Sequence, residues 1–231
     1  MTEEGGTEGT QLDQRLIILG VFALVAVAIV AAILISRGGG GSGSSSAGGC
    51  EEVEPPQPKN VGFKAPKQTV QKGEEVTAVV ETSCGTFDIA LASQEAPKTV
   101  NSFVFLSEEG FYDGLDFHRV VPEFVIQGGD PLGNGTGGPG YKVTEKPPAN
   151  LKYTRGVVAM AKGGTQPPGT SGSQFFVVTG AEAGLPPEYA LLGNVSKGID
   201  VVEQIGEVPI KPNTEEPEQT VLIEHVEIER G

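Results

Sequence analysis

Residues 117–130 read FHRVVPEFVIQGGD and place an arginine and a glutamine within two otherwise apolar runs. Because side chains alternate between the two faces of a strand, Arg119 and Gln127 would share one face with Phe124 or its neighbours. A guanidinium stays charged and donates several hydrogen bonds, whereas an amide both donates and accepts them. An arginine, a glutamine and an aromatic ring on one surface predict a binding pocket that is both polar and aromatic.

Other kinds of chemistry find little support in the composition. His118 and His225 stand far apart and neither of the two cysteines has zinc spacing, so we expect no metal and no cofactor. Strand alternation directs His118 away from Arg119, which favours a structural role over that of a general base. The net charge of −14 and the lack of any lysine or arginine cluster argue against a nucleic-acid partner.

Short apolar runs between glycine and proline residues predict an all-β domain that contains two helices. The eight predicted strands are residues 76–81, 86–91, 116–121, 124–127, 157–160, 175–178, 190–195 and 221–229. The first helix begins at Pro97, where the first turn tolerates proline, and stops at Gly110. The second helix covers residues 199–205 and ends at Gly206.

The N-terminal part has a different character. A run of twenty residues without charge begins at Leu16 and ends at Ile35, long enough for a transmembrane helix. A buried core helix and a cleaved secretory signal are alternatives, but both are usually shorter. We therefore expect a short polar tail (1–15), a single transmembrane helix (16–35), a flexible Gly/Ser- and Pro/Glu-rich linker (36–75) and a folded domain (76–231).

The sequence of that domain resembles the cyclophilin family of peptidyl-prolyl cis/trans isomerases. Four blocks carry the resemblance, in order: GFYDGLDFHRVVPEFVIQGGD (110–130), NGTGG (134–138), GVVAMA (156–161) and SGSQFFV (171–177). The resemblance covers residues 76–228, and together with the predicted transmembrane helix it suggests a membrane-anchored, bacterial-like form of the family. It implies a closed eight-stranded antiparallel barrel capped by two α-helices, with a substrate groove on its outside.

The resemblance also assigns roles to individual residues. Arg119 matches the catalytic arginine, and Gln127 matches the glutamine that holds the substrate. The substrate-binding positions carried over from the family are Phe124, Val125, Met160, Ala161, Lys162, Gln174, Phe176, Leu185 and Tyr189. The alternatives are a surface ion pair of Arg119 with Asp116 or Glu123, and a purely structural hydrogen bond for Gln127.

Some positions depart from the family pattern. Val125 replaces a frequent methionine, Lys162 a common asparagine, Tyr189 a histidine and Gly184 a tryptophan. The loop of residues 162–173 is also about three residues longer than usual by this resemblance. Proline binding is therefore expected to be looser, and a docking module with weak turnover is the alternative function.

The family activity implies proline-containing polypeptides as partners and a monomeric enzyme. Rotation about an X–Pro bond is slow because resonance gives the amide double-bond character. At the twisted state the proline nitrogen can accept a hydrogen bond, and Arg119 is the expected donor.

Location and cysteine state are linked expectations. We expect a single-pass protein of the cell membrane with its isomerase domain outside the cytoplasm, although Arg15 and Arg37 balance on the two sides of the apolar run. In an oxidising compartment Cys50 could pair with Cys84. A lipidated Cys50 and two free thiols remain the alternatives.

Overall fold

The computed structural model describes residues 49–231, which fold around one curled antiparallel sheet. The elements in chain order are β1 (Val76–Thr82), β2 (Gly85–Leu91), α1 (Pro97–Glu108), β3 (Leu115–Asp116), β4 (Arg119–Val121), β5 (Val125–Gly128), β6 (Val143–Thr144), β7 (Val157–Met160), β8 (Thr170–Ser171), β9 (Phe175–Val178), β10 (Leu191–Lys197), α2 (Ile199–Gly206) and β11 (Leu222–Arg230). The two predicted helices are confirmed.

The main sheet has nine strands in the order β3-β11-β1-β2-β10-β7-β9-β5-β4, and β6 pairs separately with β8. Its two end strands, β3 and β4, are separated in the chain only by Phe117 and His118. The sheet must therefore curl until its two edges meet along one segment. Within the described residues no ladder joins β3 to β4, so the sheet is curled without being closed by hydrogen bonds.

This architecture corrects the expectation of a closed eight-stranded barrel. The predicted strand 116–121 is broken into β3 and β4 because its backbone turns to other partners. The amide of Phe117 donates to the Val221 carbonyl (2.9 Å), and the amide of Val120 donates to the Glu215 carbonyl (2.7 Å). The loop before β11 thus covers the outer edge of β4.

Side-chain alternation gives the sheet two apolar faces. Met160, Phe175 and Ile126 point to the inner cluster, which also receives α1. Their neighbours Ala159, Phe176 and Val125 belong to a second, outer cluster. The alternation of side chains therefore gives each of these strands one face that packs in the inner cluster and a second face that is available for a site.

Helix α1 seals one end of the inner cluster. Pro97 lies in its first turn, where a missing N–H costs nothing, and Val100 and Phe103 are fully buried. Ala96 supplies no side-chain cap, and the Glu145 carboxylate instead accepts a hydrogen bond from the Thr99 amide at 2.8 Å. A distant carboxylate thus stabilises the positive end of the helix.

The segment from Cys50 to Val70, which we call the strap, lies against the domain. A disulfide joins Cys50 to Cys84. Further along, the amide of Phe63 donates to the Pro139 carbonyl (2.7 Å), and the Phe63 ring meets Phe105 edge-on at 5.3 Å. The predicted flexible linker of residues 36–75 is therefore not free in its second half, because apolar side chains within it pack against the inner cluster.

The predicted tail, the predicted transmembrane helix of residues 16–35 and the Gly/Ser-rich residues up to 48 lie outside the described residues. Within residues 49–231 the structure contains no helix with the length and apolar character needed to cross a membrane.

Candidate active site

A tight turn between β4 and β5 brings Arg119 and Gln127 together. Pro122 and Glu123 occupy the turn, Glu123 has a φ of 55°, and the Phe124 amide closes the turn on the Val121 carbonyl at 3.1 Å. This is the pattern of a turn that takes proline first and a positive φ second. It sets the register in which Arg119 lies directly opposite Gln127.

Cross-strand partners share a face of the sheet, and here they are hydrogen-bonded. Arg119 donates from Nη1 to Oε1 of Gln127 at 3.3 Å. On the other side of β5, Gln127 pairs in register with Phe176 of β9. The pairing thus brings Arg119 and Gln127 to adjacent positions on the sheet, and the aromatic residue in register with them is Phe176, where the sequence pattern had pointed to Phe124 or its neighbours.

A line of hydrogen bonds continues from this pair along the groove. Gln127 donates from Nε2 to Oε1 of Gln174 at 3.0 Å, and Gln174 donates from Nε2 to the carbonyl of Gly137 at 2.9 Å. Each amide is oriented by both of its neighbours. The line therefore presents fixed donors and acceptors to any peptide that lies beside it.

Glu215 completes this line at the arginine end. Its Oε2 accepts a hydrogen bond from Nε of Arg119 at 2.5 Å, with 31% of the Arg119 side chain and 53% of the Glu215 side chain exposed. The sequence suggests Asp116 or Glu123 as the ion-pair partner of Arg119, but the partner in the structure is Glu215. No sequence signal pointed to this contact, because 96 residues separate its two partners.

The apolar wall of the site is built from the outer cluster. Phe176 and Tyr189 meet edge-on with ring centroids 5.4 Å apart. Phe124 and Leu185 pack against the same cluster and remain partly exposed, whereas Val125 beneath them is almost completely buried. Together these side chains form an aromatic-lined surface next to Gln127.

Met160 lies elsewhere. It is 1% exposed and belongs to the inner cluster, on the opposite side of the sheet from the groove. The next residue, Ala161, packs against the outer cluster, and its amide donates to the Gln174 carbonyl at 2.8 Å. The resemblance to the family implies that both Met160 and Ala161 bind substrate. The structure brings only Ala161 to the groove, because the side chains of neighbouring strand residues face opposite ways.

Tyr153 supports the aromatic wall from behind, a role that sequence reasoning missed. Its hydroxyl donates to the Tyr189 carbonyl at 2.7 Å and accepts from the Tyr189 amide at 3.0 Å. Burial raises the pKa of Tyr153 to about 12, so the hydroxyl keeps its proton at neutral pH. Tyr189 is thus held by both of its backbone polar groups.

Lys162 turns its side chain toward the same wall. The side chain is 5% exposed, its Nζ lies 3.1 Å from Oε2 of Glu188, and the ammonium lies 5.5 Å from the centre of the Tyr189 ring. The ammonium is paired with a carboxylate and lies within the range of a cation–π contact. The lysine that replaces the family's usual asparagine therefore stiffens the edge of the pocket.

The rim at Gly184 is open. A side-chain carbon placed there would meet no atom within 4 Å, and the backbone has a φ of 63°. Space is thus left at the position where the resemblance implies a tryptophan.

Beside the glutamines the surface forms a groove of about 740 Å³. Its lining comes from Gln127 and Gln174, from residues 135–142, and from the loop of residues 161–166. No group of three His, Cys, Asp or Glu side chains within residues 49–231 is arranged to hold a metal ion. The chemistry that this groove offers is hydrogen bonding and apolar contact.

His118 and Asp116 lie behind the arginine strand. Both ring nitrogens of His118 are buried without a hydrogen-bond partner within the described part of the chain, and burial lowers its pKa. Burial also raises the pKa of Asp116 to about 6. A neutral, buried imidazole that makes no hydrogen bond to Arg119 or Gln127 fits the structural role expected for His118.

Comparison with known proteins gives a consistent match. Residues 77–228 match the sequence model of the family described as cyclophilin type peptidyl-prolyl cis-trans isomerase/CLD. The peptidyl-prolyl cis-trans isomerase B of Streptomyces anulatus is 41% identical over 174 residues, which are 68% of this chain and 98% of the relative. The peptidyl-prolyl cis-trans isomerase CYP18-2 of Arabidopsis thaliana is 36% identical over 66% of this chain and 93% of its own length.

Solved structures agree with the sequence comparison. A crystal structure of a cyclophilin-type isomerase from Cryptosporidium parvum matches with a TM-score of 0.62 and 31% identity, over 68% of this chain and 99% of the other. A second crystal structure of that protein, in the presence of the dipeptide Ala-Pro, matches with a TM-score of 0.62 and 30% identity, over 67% and 99% of the two chains.

Proposed function

The chain belongs to the cyclophilin family of peptidyl-prolyl cis-trans isomerases, and we propose that its isomerase site is the surface between Arg119 and Phe176, next to the groove lined by Gln127 and Gln174. The observation that carries the proposal is the contact between Arg119 and Gln127 on the outer face of the sheet, beside the aromatic cluster. The Ala-Pro dipeptide in the related crystal structure supports a proline-containing peptide as the occupant.

Catalysis needs a stabilised twisted amide. Planar X–Pro bonds resist rotation with a barrier of about 18–20 kcal/mol because conjugation is lost at the twist. The nitrogen then becomes pyramidal and accepts a hydrogen bond. Arg119 donates that bond in the twisted state only, so the interaction lowers the barrier without tightening the ground state.

The remaining groups hold the two sides of the rotating bond. Phe124, Phe176 and Leu185 grip the proline ring, while Gln127 and the backbone of Lys162 hold the preceding carbonyl. One side of the bond then turns against the other. No covalent intermediate is required.

Replacement of Arg119 by alanine tests this mechanism. A charge-assisted hydrogen bond contributes about 1.5–3 kcal/mol, so kcat/KM for cis-to-trans exchange of a short X–Pro peptide should fall about 10- to 100-fold. Arg155→Ala is the matched control, because Arg155 is exposed and pairs with Glu203. Equal losses in the two variants would remove Arg119 from the mechanism.

A proline-peptide docking module with weak turnover is the second candidate. The open rim at Gly184 and the loop of residues 162–173 favour it, since both change the surroundings of the proline pocket. Peptide binding by the wild-type protein without accelerated exchange would support this alternative.

The cellular setting is also a proposal. We propose that residues 16–35 anchor the chain in the cell membrane, that the domain is monomeric, and that it lies outside the cytoplasm. The disulfide between Cys50 and Cys84 supports an oxidising compartment. Added protease should cut the domain in intact cells or spheroplasts, and full protection there would contradict the orientation. Analytical ultracentrifugation of the full-length chain in detergent should give the mass of one chain if the protein is monomeric.

A further inference from the structure

We propose that Glu215 is a positioning residue of the isomerase site, which fixes the plane of the Arg119 guanidinium against the substrate. The inference rests on the role proposed above for Arg119. Within residues 49–231 the Glu215 carboxylate is hydrogen-bonded to Arg119 alone, so its influence on the reaction passes through the arginine.

The contacts define the orientation of the guanidinium. Glu215 accepts from Nε at 2.5 Å, and Gln127 accepts from Nη1 at 3.3 Å. Two acceptors on different nitrogens of a planar group fix that plane. Within residues 49–231, Nη2 of Arg119 has no hydrogen-bond partner, so its donors remain available to a substrate nitrogen.

Glu215 is itself held in place by its backbone. Its carbonyl accepts a hydrogen bond from the amide of Val120, the residue after Arg119, at 2.7 Å. The carboxylate and the arginine are therefore tied to the same point of β4.

The loop that carries Glu215 is closed on itself. The amide of Lys211 donates to the Glu216 carbonyl at 2.8 Å, and the amide of Glu218 donates to the Pro209 carbonyl at 2.7 Å. Asn213 at the tip adopts a φ of 60°, which the short polar side chain of asparagine tolerates. The loop thus delivers the Glu215 carboxylate to the arginine, whereas Glu216 pairs with Lys211 and Glu218 is exposed.

The exposure of the pair distinguishes positioning from structural support. Ion pairs as exposed as this one contribute little to folding stability. A long arginine side chain left without this acceptor, however, samples many rotamers in which it misses the twisted nitrogen. Removal of the carboxylate should therefore lower the rate and leave the stability unchanged.

The test compares full-length variants in detergent micelles with a short X–Pro peptide as the probe. For Glu215→Ala we expect kcat to fall about 5- to 10-fold with KM within about twofold, because an interaction made only in the transition state is weakened. Glu215→Gln keeps an oxygen acceptor for Nε and should stay within about threefold of wild type. The control Glu218→Ala removes a charge from the same loop and should leave kcat unchanged.

A double variant separates this proposal from the one on which it rests. If Glu215 acts through Arg119, Glu215→Ala lowers the rate no further in an Arg119→Ala background. A wild-type rate for Glu215→Ala beside an impaired Arg119→Ala overturns the positioning role and leaves the arginine mechanism intact. A loss that Glu218→Ala shares, or that accompanies a lower melting temperature, also overturns it. Full activity of Arg119→Ala instead overturns the proposed function itself.

Discussion

The hydroxyl of Tyr153 holds both backbone polar groups of Tyr189, and Tyr189 forms one wall of the aromatic pocket. Because this hydroxyl is buried, its two hydrogen bonds cannot be replaced by water without local rearrangement. The shape of the pocket thus depends on an atom that a substrate never touches.

Tyr153→Phe should loosen that wall. Leaving a buried amide and carbonyl unpaired costs about 1–3 kcal/mol, so both stability and proline binding should weaken. We expect KM for an X–Pro peptide to rise several-fold with little change in kcat, because the wall contacts ground state and transition state alike.

A second buried hydroxyl provides the control. Tyr112 donates to the Ser173 carbonyl from within the inner cluster, so Tyr112→Phe should lower stability but not change KM. If both variants raise KM equally, the effect is one of general destabilisation and Tyr153 has no specific link to the pocket.

The raised pKa of Asp116 predicts that the stability of the fold depends on pH. Burial raises its pKa from 3.8 to about 6, so the folded state favours the neutral carboxyl. Stability from this group is fully present below the unfolded pKa and is lost as the pH rises toward 6 and beyond. Asp116→Asn should therefore stabilise the protein at pH 8 by about 1–2 kcal/mol, with the partial exposure of the group taken into account.

Thermal unfolding of Asp116→Asn and wild type at pH 4 and pH 8 checks this expectation. The gain should appear at pH 8 and shrink toward pH 4, where the folded state is protonated and the unfolded state, with a pKa of 3.8, is partly protonated. Glu224→Gln changes an exposed carboxylate on β11 and should show no such trend. A gain that is the same at both pH values would contradict the assigned cause.

At the scale of elements, the strap is attached to the domain by a disulfide at one end and by hydrogen bonds near the groove further along. Cys50 is bonded to Cys84, and the same segment donates from the Lys59 amide to Pro131 and from the Phe63 amide to Pro139. Pro139 lies in the stretch of chain that lines the groove beside Gln174. The strap therefore supports one side of the site from outside.

Replacing both cysteines by serine should release the strap. Cross-links of this kind typically contribute about 2–4 kcal/mol to stability. We expect a lower melting temperature and faster hydrogen exchange of the Lys59 and Phe63 amides. Reductant should have the same effect on wild type and none on the double serine variant, and unchanged amide exchange in that variant would show that packing alone holds the strap.

The strands, helix α1 and the strap show which features of the fold can be predicted from the sequence and which cannot. The period-two pattern located most of the strands, and Pro97 and Gly110 bracketed α1. The break at Phe117 could not be predicted, because it arises from hydrogen bonds to residues about a hundred positions later. The packing of the strap could not be predicted for a similar reason: its composition is typical of a tether, and Phe63 becomes a packing residue through the positions of Phe105 and Phe111 in the fold.

At the scale of the whole domain, the two faces of one sheet divide stability from function. Residues such as Phe175 fill the inner cluster, and the next residue along the strand, Phe176, faces the outer cluster. The alternation that predicts this division is visible in the sequence, and so were Arg119, Gln127 and Phe124. Glu215, which pairs with Arg119, and Tyr153, which holds the backbone of Tyr189, lie far from these residues in the chain and carry no motif.

The most direct test of the account is NMR exchange spectroscopy of a proline-containing peptide with wild type and Arg119→Ala. It measures peptide binding and the rate of cis/trans exchange on the enzyme in one sample. We predict that both proteins bind the peptide with similar affinity and that exchange in the variant is slower by about 10-fold or more. Equal exchange rates in the two proteins, or binding by wild type without accelerated exchange, would contradict the account.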